Sequence, residues 1–444
     1  MSRGDSSTPT HRDTHDSGSI RTLEEADGYD HNNHWNEEPS PQDSDEDPGG
    51  ESGEKKSDPL GFLPLEGRAK KIAEWLSVVL AIWLLLNAVG MIGSGFQMAA
   101  GDRAEELFAF AENPFVGLAI GILATAILQS SSTTTSIVVG MVAGGLPLEV
   151  AVPMLFGANI GTTVTSTLVA LGLSGNREQF KRAFSMATVH DFYNLLALVI
   201  FFPLELVTGL LTRVSSALAE PLAGQGDGVI SSAFDAIGGF VDAITEPLVG
   251  VAESFAEMIG GVWGGVILSI AGVALILAVI GFISKMLSAL LVGKAQKILH
   301  TALGKGTVTG VLSGAVITTA VQSSSTTTSL TVPLAASGKF NMRELFPFVV
   351  GANIGTTVTG LIAAFSASGV EAEAAMTGAL VHTMYNLFSA VLILSLPFLR
   401  HLPPKGAEWL AGLADKNKIY VFAWVGGVFF AIPLLAVFIT NSFF

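Results

Sequence analysis

The sequence predicts an all-α polytopic membrane protein built from two inverted-topology repeats, each with a re-entrant helical hairpin and a broken helix. Three observations lead there. Half of the 444 residues are hydrophobic, only 14% are charged, and mean hydropathy is +0.55. Long apolar stretches begin near Ile72, several close to the roughly twenty residues that a spanning helix needs. The polar octapeptide Gln-Ser-Ser-Ser-Thr-Thr-Thr-Ser occurs letter for letter at 129–136 and again at 322–329. Each copy is followed by Gly-Ala-Asn-Ile-Gly-Thr-Thr-Val-Thr, at 157–165 and 351–359, and then by His190-Asp-Phe-Tyr-Asn194 or His382-Thr-Met-Tyr-Asn386. Three blocks in one order at nearly one spacing make an internal duplication.

The elements follow in order. Residues 1–58 hold 16 Asp/Glu against 5 Lys/Arg, a net charge of -11 out of the chain's -15, with almost no aliphatic residues. They predict a disordered acidic tail. Its four histidines (His11, His15, His31, His34) are irregularly spaced and read as scattered, solvated side chains. The chain has no cysteine, which excludes disulfides, thiolate metal sites and cysteine nucleophiles. The first apolar run lies behind this tail, so no cleavable signal peptide is evident. Residues 59–112 then supply a first transmembrane segment (72–98) and its connection. Repeat 1 covers 113–212, with a hairpin at 113–145 and spans at 147–172 and 184–211. A Gly- and acid-containing extracytoplasmic linker occupies 213–261, and a linking transmembrane helix 262–305. Repeat 2 covers 306–400, with a hairpin at 306–336 and spans at 344–366 and 374–399. Residues 401–444 supply a C-terminal transmembrane helix, its span at 419–440.

The hairpins rest on a physical constraint. Irregular backbone at membrane depth survives only where protein or a water-filled cavity surrounds it. The two apolar stretches that contain the polar octapeptides are each long enough to enter the membrane and return. Each therefore reads as helix, break, helix, with the polar run at or near the tip. Paired polar interruptions in corresponding hydrophobic segments point to a transporter's binding site.

Loop charges set the orientation, since Lys and Arg near segment ends favour the cytoplasm. Arg68, Lys70 and Lys71 precede the first span, and Arg177, Lys181 and Arg182 follow the second. The matching connection in repeat 2 carries Glu371 and Glu373 and no base. After the first hairpin, 144–149 lacks bases, whereas Lys339 and Arg343 follow the second. Lys285, Lys294, Lys297 and Lys305 place the entry of the second hairpin inside. The chain then starts in the cytoplasm and ends outside, with the two hairpins entering from opposite faces.

The polar runs offer amides and hydroxyls, uncharged donors and acceptors. A broken helix also frees N–H groups that attract anions. Freed carbonyls, with Ser, Thr, Asn and Gln oxygens, suit a small hard cation such as sodium. The set as a whole suits a tetrahedral oxyanion accompanied by cations. Against this stands a purely structural use: Ser/Thr runs pack membrane helices and bond back to their own turn, and the Gly-Ala-Asn-Ile-Gly segments form a small-residue contact surface. No nucleotide-binding loop, metal-ligand spacing or nucleophile–base pair is present, so the chain reads as a carrier driven by an ion gradient and not as an enzyme.

These doubled blocks resemble the type II sodium-dependent phosphate cotransporter family, whose hallmark is an inverted pair of Gln-Ser-Ser-Ser hairpins. The likeness covers about 113–200 and 305–395 and extends to Asn176-Arg-Glu-Gln-Phe-Lys-Arg-Ala-Phe184 and Thr188-Val-His-Asp-Phe-Tyr-Asn194. It implies sodium-coupled symport of inorganic phosphate into the cell by alternating access, across the cell membrane, with sodium ions as coupling ions and no other cofactor. Another oxyanion (arsenate or sulfate), export, or channel-like conduction are the alternatives. No nucleic acid is implied, and a homo-oligomer stays open. The phosphate ligands implied are Gln129, Ser130, Ser131, Ser132, Gln322, Ser323, Ser324, Ser325 and Arg177. The sodium ligands implied are Gln129, Thr133, Asn159, Thr162, Asp191, Asn194, Gln322, Ser325, Thr326, Asn353 and Thr356. Asp191 falls inside a span, where a carboxylate is costly without a functional partner, and its counterpart is Thr383. Relatives with Asp here resemble electrogenic carriers that bind an additional sodium ion. A local bond of Asp191 to Asn194 or His190 is the structural alternative. His190 and His382 read as hydrogen-bonding groups. The chain departs from vertebrate members at Asn176, where they have Asp, and in lacking their linker disulfide.

Overall fold

The computed structural model describes residues 59–61, 64–100, 113–224, 229–302, 305–367 and 371–443. The acidic tail 1–58 with its histidines and the connection 101–112 lie outside the described residues. Among the described residues there is no strand, and seven helical stretches are long and apolar enough to cross a membrane: Gly67–Ala100, Leu148–Gly172, Arg177–Thr208, Gly261–Leu291, Met342–Ala364, Glu371–Ser395 and Ile419–Thr440. The chain is an all-α, multi-pass membrane protein.

In chain order the helices are α1 (Gly67–Ala100), α2 (Pro114–Leu128), α3 (Ser131–Ala143), α4 (Leu148–Ala158), α5 (Val164–Gly172), α6 (Arg177–Thr208), α7 (Leu210–Leu222), α8 (Val229–Ile259) and α9 (Gly261–Ala302). They continue as α10 (Thr307–Val321), α11 (Ser324–Ser329), α12 (Thr331–Ala336), α13 (Met342–Ala364), α14 (Glu371–Ser395), α15 (Pro397–Arg400), α16 (Leu402–Lys416), α17 (Ile419–Gly426) and α18 (Ile432–Phe443). A 3₁₀ turn, Ile160–Thr163, joins α4 to α5, and a π segment, Gly427–Ala431, joins α17 to α18.

Sequence explains the start of α2. Asn113 caps α2 by accepting from the Phe115 N–H, with Pro114 at the first helical position, where a missing N–H costs nothing. In both copies the first arm lies against the first half of the helix that carries the repeated nonapeptide, α2 on α4 and α10 on α13. Glycines set that approach: a Cβ on Gly121 or Gly157 would overlap the carbonyl of Met154 or Leu118, and one on Gly314 or Gly351 the carbonyl of Phe348 or Val311. Small residues let membrane helices meet at backbone distance. The second arms cross over. α3 packs on α13 and α14 of the other repeat, and α11 packs on α5. One apolar core, with Val89, Ile92, Val139, Leu155, Ile276, Ala375 and Ala379 fully or nearly buried, spans α1, α3, α4, α9 and α14.

Three segments differ from the sequence reading. The stretch expected as a plain linker, 213–261, holds most of α7 and all of α8. The buried Glu205 starts α7, accepting from the N–H groups of Leu211 (2.6 Å) and Thr212 (3.0 Å) across Gly209, whose φ is +58°. A carboxylate at a helix N-terminus satisfies orphan N–H groups there. The C-terminal region is also more than one helix: α16 precedes the final span and lies along α6, burying Pro403, Ala407, Leu410, Ala411 and Ala414. The third span starts at Arg177 and not at 184, because Asn176 caps it by accepting from the Gln179 N–H.

Candidate functional site

The doubled glutamines end α2 and α10 in the same unusual backbone. Gln129 has φ 54° and Gln322 φ 55°, and they are the only non-glycine residues with positive φ among the described residues. A side chain there costs about 1–2 kcal/mol, and strain retained twice, at matched positions, marks function more than folding. The left-handed residue stops one helix and the next serine starts another. Ser130 accepts from the Thr133 N–H and Ser323 from the Thr326 N–H, both at 3.2 Å. Helix geometry then leaves the first N–H groups of α3, at Ser131 and Ser132, without intrahelical partners.

Each glutamine amide is held at both ends. Gln129 donates to the Ala126 carbonyl and Gln322 to that of Thr319 (2.7 Å). Their Oε1 atoms accept from the last threonine of the nonapeptide in the same repeat, Thr165 at 3.3 Å and Thr359 at 2.7 Å. The two copies of one motif thus reproduce one set of contacts. The repeats also meet each other. Ser166 lies 3.3 Å from the hydroxyl of Thr328, and Thr135 lies 3.5 Å from His382 Nδ1.

The asparagines and histidines are crossed between repeats. His190 Nε2 bonds Asn353 Oδ1 at 2.5 Å, and His382 Nε2 bonds Asn159 Oδ1 at 3.1 Å. Asn194 accepts from Asn353 Nδ2 and donates to the Asn159 carbonyl, each at 2.7 Å. All six residues of this network, Asn386 included, are buried. The expectation that both histidines are hydrogen-bonding groups matches their contacts; that they bond across the duplication was not visible in the sequence. Thr162 and Thr356 instead bond back to their own helices, to the carbonyls of Asn159 and Ala352.

Asp191 is fully buried. Its partners are neither Asn194 nor His190. It accepts from the hydroxyl of Thr163, in the 3₁₀ turn, and from Trp424 Nε1 at 3.0 Å. Trp424 also stacks on Phe192, with ring centroids 4.8 Å apart, so the last span docks on this carboxylate. Among the described residues Thr383, the counterpart, bonds its own helix alone, at the Ala379 carbonyl. Sequence alone gave no sign of Trp424, which lies 233 positions from Asp191.

Arg177 is not gathered with these groups. It opens α6, thirteen residues before His190 and so about 20 Å away along the helix axis. Its largely exposed side chain pairs with Asp415 of α16 at 2.8 Å. That hydrogen-bonded guanidinium holds the Asp415 carboxyl below its ordinary range.

A family model described as Na+/Pi-cotransporter matches residues 84–213 and 275–399. Sodium-dependent phosphate transport protein 2A of Rattus norvegicus is 31% identical over 431 residues, covering 80% of this chain and 66% of that protein. Protein 2B of Bos taurus is 28% identical over 449 residues, 82% of this chain and 64% of that one. Protein 2B of Homo sapiens is 27% identical over 436 residues, 80% and 63%. The chain thus spans slightly under two thirds of the length of these relatives. No solved structure matches it.

Proposed function

The chain belongs to the Na+/Pi-cotransporter family, and from that premise we propose that it imports inorganic phosphate by sodium-coupled symport, through alternating access around two inverted repeats. The observation that carries this reading is the matched pair of left-handed glutamines, each opening a helix with free N–H groups and a cluster of hydroxyls. In this reading Gln129 and Ser130–Ser132, with Gln322 and Ser323–Ser325, bind the anion, while Thr133, Thr326, Asn159, Asn353, Asn194, Thr162, Thr356 and Asp191 serve sodium directly or through their neighbours. The α2–α3 and α10–α11–α12 units act as re-entrant hairpins. The bases flanking α1 and α13 support a cytoplasmic N-terminus and an extracytoplasmic C-terminus.

Electrostatics supports the coupling. The two motifs contain no cationic side chain, and Arg177 is tied to Asp415. Neutral donors alone do not offset the desolvation of a multiply charged anion. Bound cations do, so a site of this composition fills with phosphate only when sodium fills too. Arg177 takes part in phosphate handling only if its bridge opens during the cycle.

The test is uptake of labelled phosphate by the purified chain in liposomes, with sodium outside and potassium inside. Saturable accumulation that collapses with the sodium gradient is expected, with Gln129→Ala and Gln322→Ala each abolishing it in correctly inserted protein. Sodium-independent flux, or better competition by sulfate than by phosphate, would overturn the reading.

A further inference from the structure

The duplication allows each half of the buried amide network to be used as a forecast of the other. In one half the chain of bonds is closed: His190 to Asn353 Oδ1, Asn353 Nδ2 to Asn194 Oδ1, and Asn194 Nδ2 to the Asn159 carbonyl. Exchanging each residue for its counterpart predicts His382 to Asn159 Oδ1, Asn159 Nδ2 to Asn386 Oδ1, and Asn386 Nδ2 to the Asn353 carbonyl. Only the first of these forms, at 3.1 Å. Asn386 Nδ2 instead donates to the His382 carbonyl of its own helix at 2.8 Å. Asn159 Nδ2, on a residue 2% exposed, is left with no partner among the described residues. Turning that amide over changes nothing, because one end faces His382 and the other would still be orphaned.

The six network residues do not themselves explain the difference, since both halves contain the same His, Asn and Asn at matched positions; the chemical break beside them is Asp191 against Thr383, and Asp191 accepts from Thr163 of the 3₁₀ turn. Within the network the difference is one of conformation, and asymmetry recurs around it. Repeat 1 has a 3₁₀ turn at Ile160–Thr163 where α13 runs on unbroken. Ser132 and Thr133 are buried, whereas Ser325 and Thr326 are half-buried. A cavity of about 610 Å³ lined by Ala143 lies at the far end of α3, and one of about 330 Å³ lined by Ser337 at the matching end of α12.

We propose that Asn194 and Asn386 form a switch pair, of which this structure holds one state: in the other state Asn386 leaves the His382 carbonyl to bridge Asn159 and Asn353, and Asn194 withdraws onto the His190 carbonyl. The proposal rests on the reading of the chain as an inverted-repeat carrier. Each state has one asparagine bridging the repeats and one folded back on its own helix. The exchange therefore conserves hydrogen bonds and keeps the two states close in energy, as a carrier that faces both sides in turn needs. Asn194 and Asn386 are positioning residues here, acting through the asparagines of the nonapeptides.

The chain has no cysteine, so single-cysteine reporters need no background removal. Ala143→Cys and Ser337→Cys, in separate full-length proteins without substrate, report maleimide labelling rates at the two hairpin ends. Asn194→Ala removes the bridge of the present state. It is expected to lower the ratio of the labelling rate at position 143 to that at position 337 about fivefold, the shift that one net hydrogen bond produces. Adding Asn386→Ala removes the bridge of the other state and is expected to return the ratio to within about twofold of the parent, one hydrogen bond offsetting the other. If a merely structural role held for Asn194, the second lesion would deepen the first. An unchanged ratio in folded Asn194→Ala protein, or no reversal by Asn386→Ala, overturns the switch. Should the alanine variants not fold, Asn194→Ser and Asn386→Ser carry the same comparison. Failure of the carrier reading registers separately, as absent sodium-driven uptake by the unmutated chain.

Discussion

Gln129 and Gln322 combine a backbone role and a side-chain role that substitution separates. Glycine adopts φ near +55° freely, whereas alanine pays the same steric cost as glutamine. Gln129→Gly and Gln129→Ala both lose the two amide hydrogen bonds, so Gln129→Gly is expected to be the more stable of the two in detergent by about 1 kcal/mol, the strain that alanine keeps and glycine relieves. Both should lose phosphate uptake, because both lose the amide. Normal uptake by the glycine variant would mean that the turn, and not the amide, is what the site needs. Asp191 poses a second residue-scale question. It breaks the duplication, faces the only 3₁₀ turn among the described spans, and has both carboxylate oxygens occupied by protein donors. Asp191→Gly is expected to carry phosphate without net charge, so that substrate-induced current falls to background while flux of labelled phosphate persists. Current per phosphate equal to that of the parent would remove Asp191 from the coupling-ion pathway. Letter identity made the glutamines legible in the sequence, but nothing in a glutamine announces a left-handed backbone. Trp424 was illegible for another reason: its contact with Asp191 spans most of the fold.

At the scale of elements, the seven spans were legible because apolar length is a direct property of composition. The breaks between the shorter helices, α2 from α3 and α10 from α11, were legible because polar blocks interrupt apolar runs. Helix α16 carried a readable signal, apolar or small residues at 403, 407, 410, 411 and 414, but it is short and begins with two prolines close to its start, so composition alone merges it into the last span. Helix α8 mixes acids and glycines along its length and resembles a loop until packing is known. Glycines separate structural from incidental small residues in these elements. Gly121→Val drives a side chain into the Met154 carbonyl and is expected to cost about 3 kcal/mol, as overpacking does, with loss of folded protein on size exclusion. Gly281→Ala, inside α9 with no atom of the described residues within 4 Å of its added Cβ, is expected to raise stability by about 0.5–1 kcal/mol through helix propensity. Equal melting of both variants would mean that the α2–α4 contact is not close-packed in the membrane.

The whole molecule packs each neutral, hydroxyl-rich motif against helices of the other repeat and gives one repeat alone the buried carboxylate of Asp191. Charge balance then has to come from what is bound. If sodium supplies it, occupancy of the two ligands must be linked, and linkage is reciprocal: sodium raises phosphate affinity by the factor with which phosphate raises sodium affinity. Thermal unfolding of the purified chain reads this without any gradient. Phosphate at about a hundred times its dissociation constant stabilises a single site by about 2.7 kcal/mol, and that shift is expected in sodium and absent in potassium at equal ionic strength. Sodium titrations at fixed phosphate should move the midpoint in the same sense. A phosphate-induced shift of equal size in potassium would mean that the protein's own donors, or Arg177 released from Asp415, neutralise the anion, and that the two repeated motifs bind phosphate without obligatory coupling.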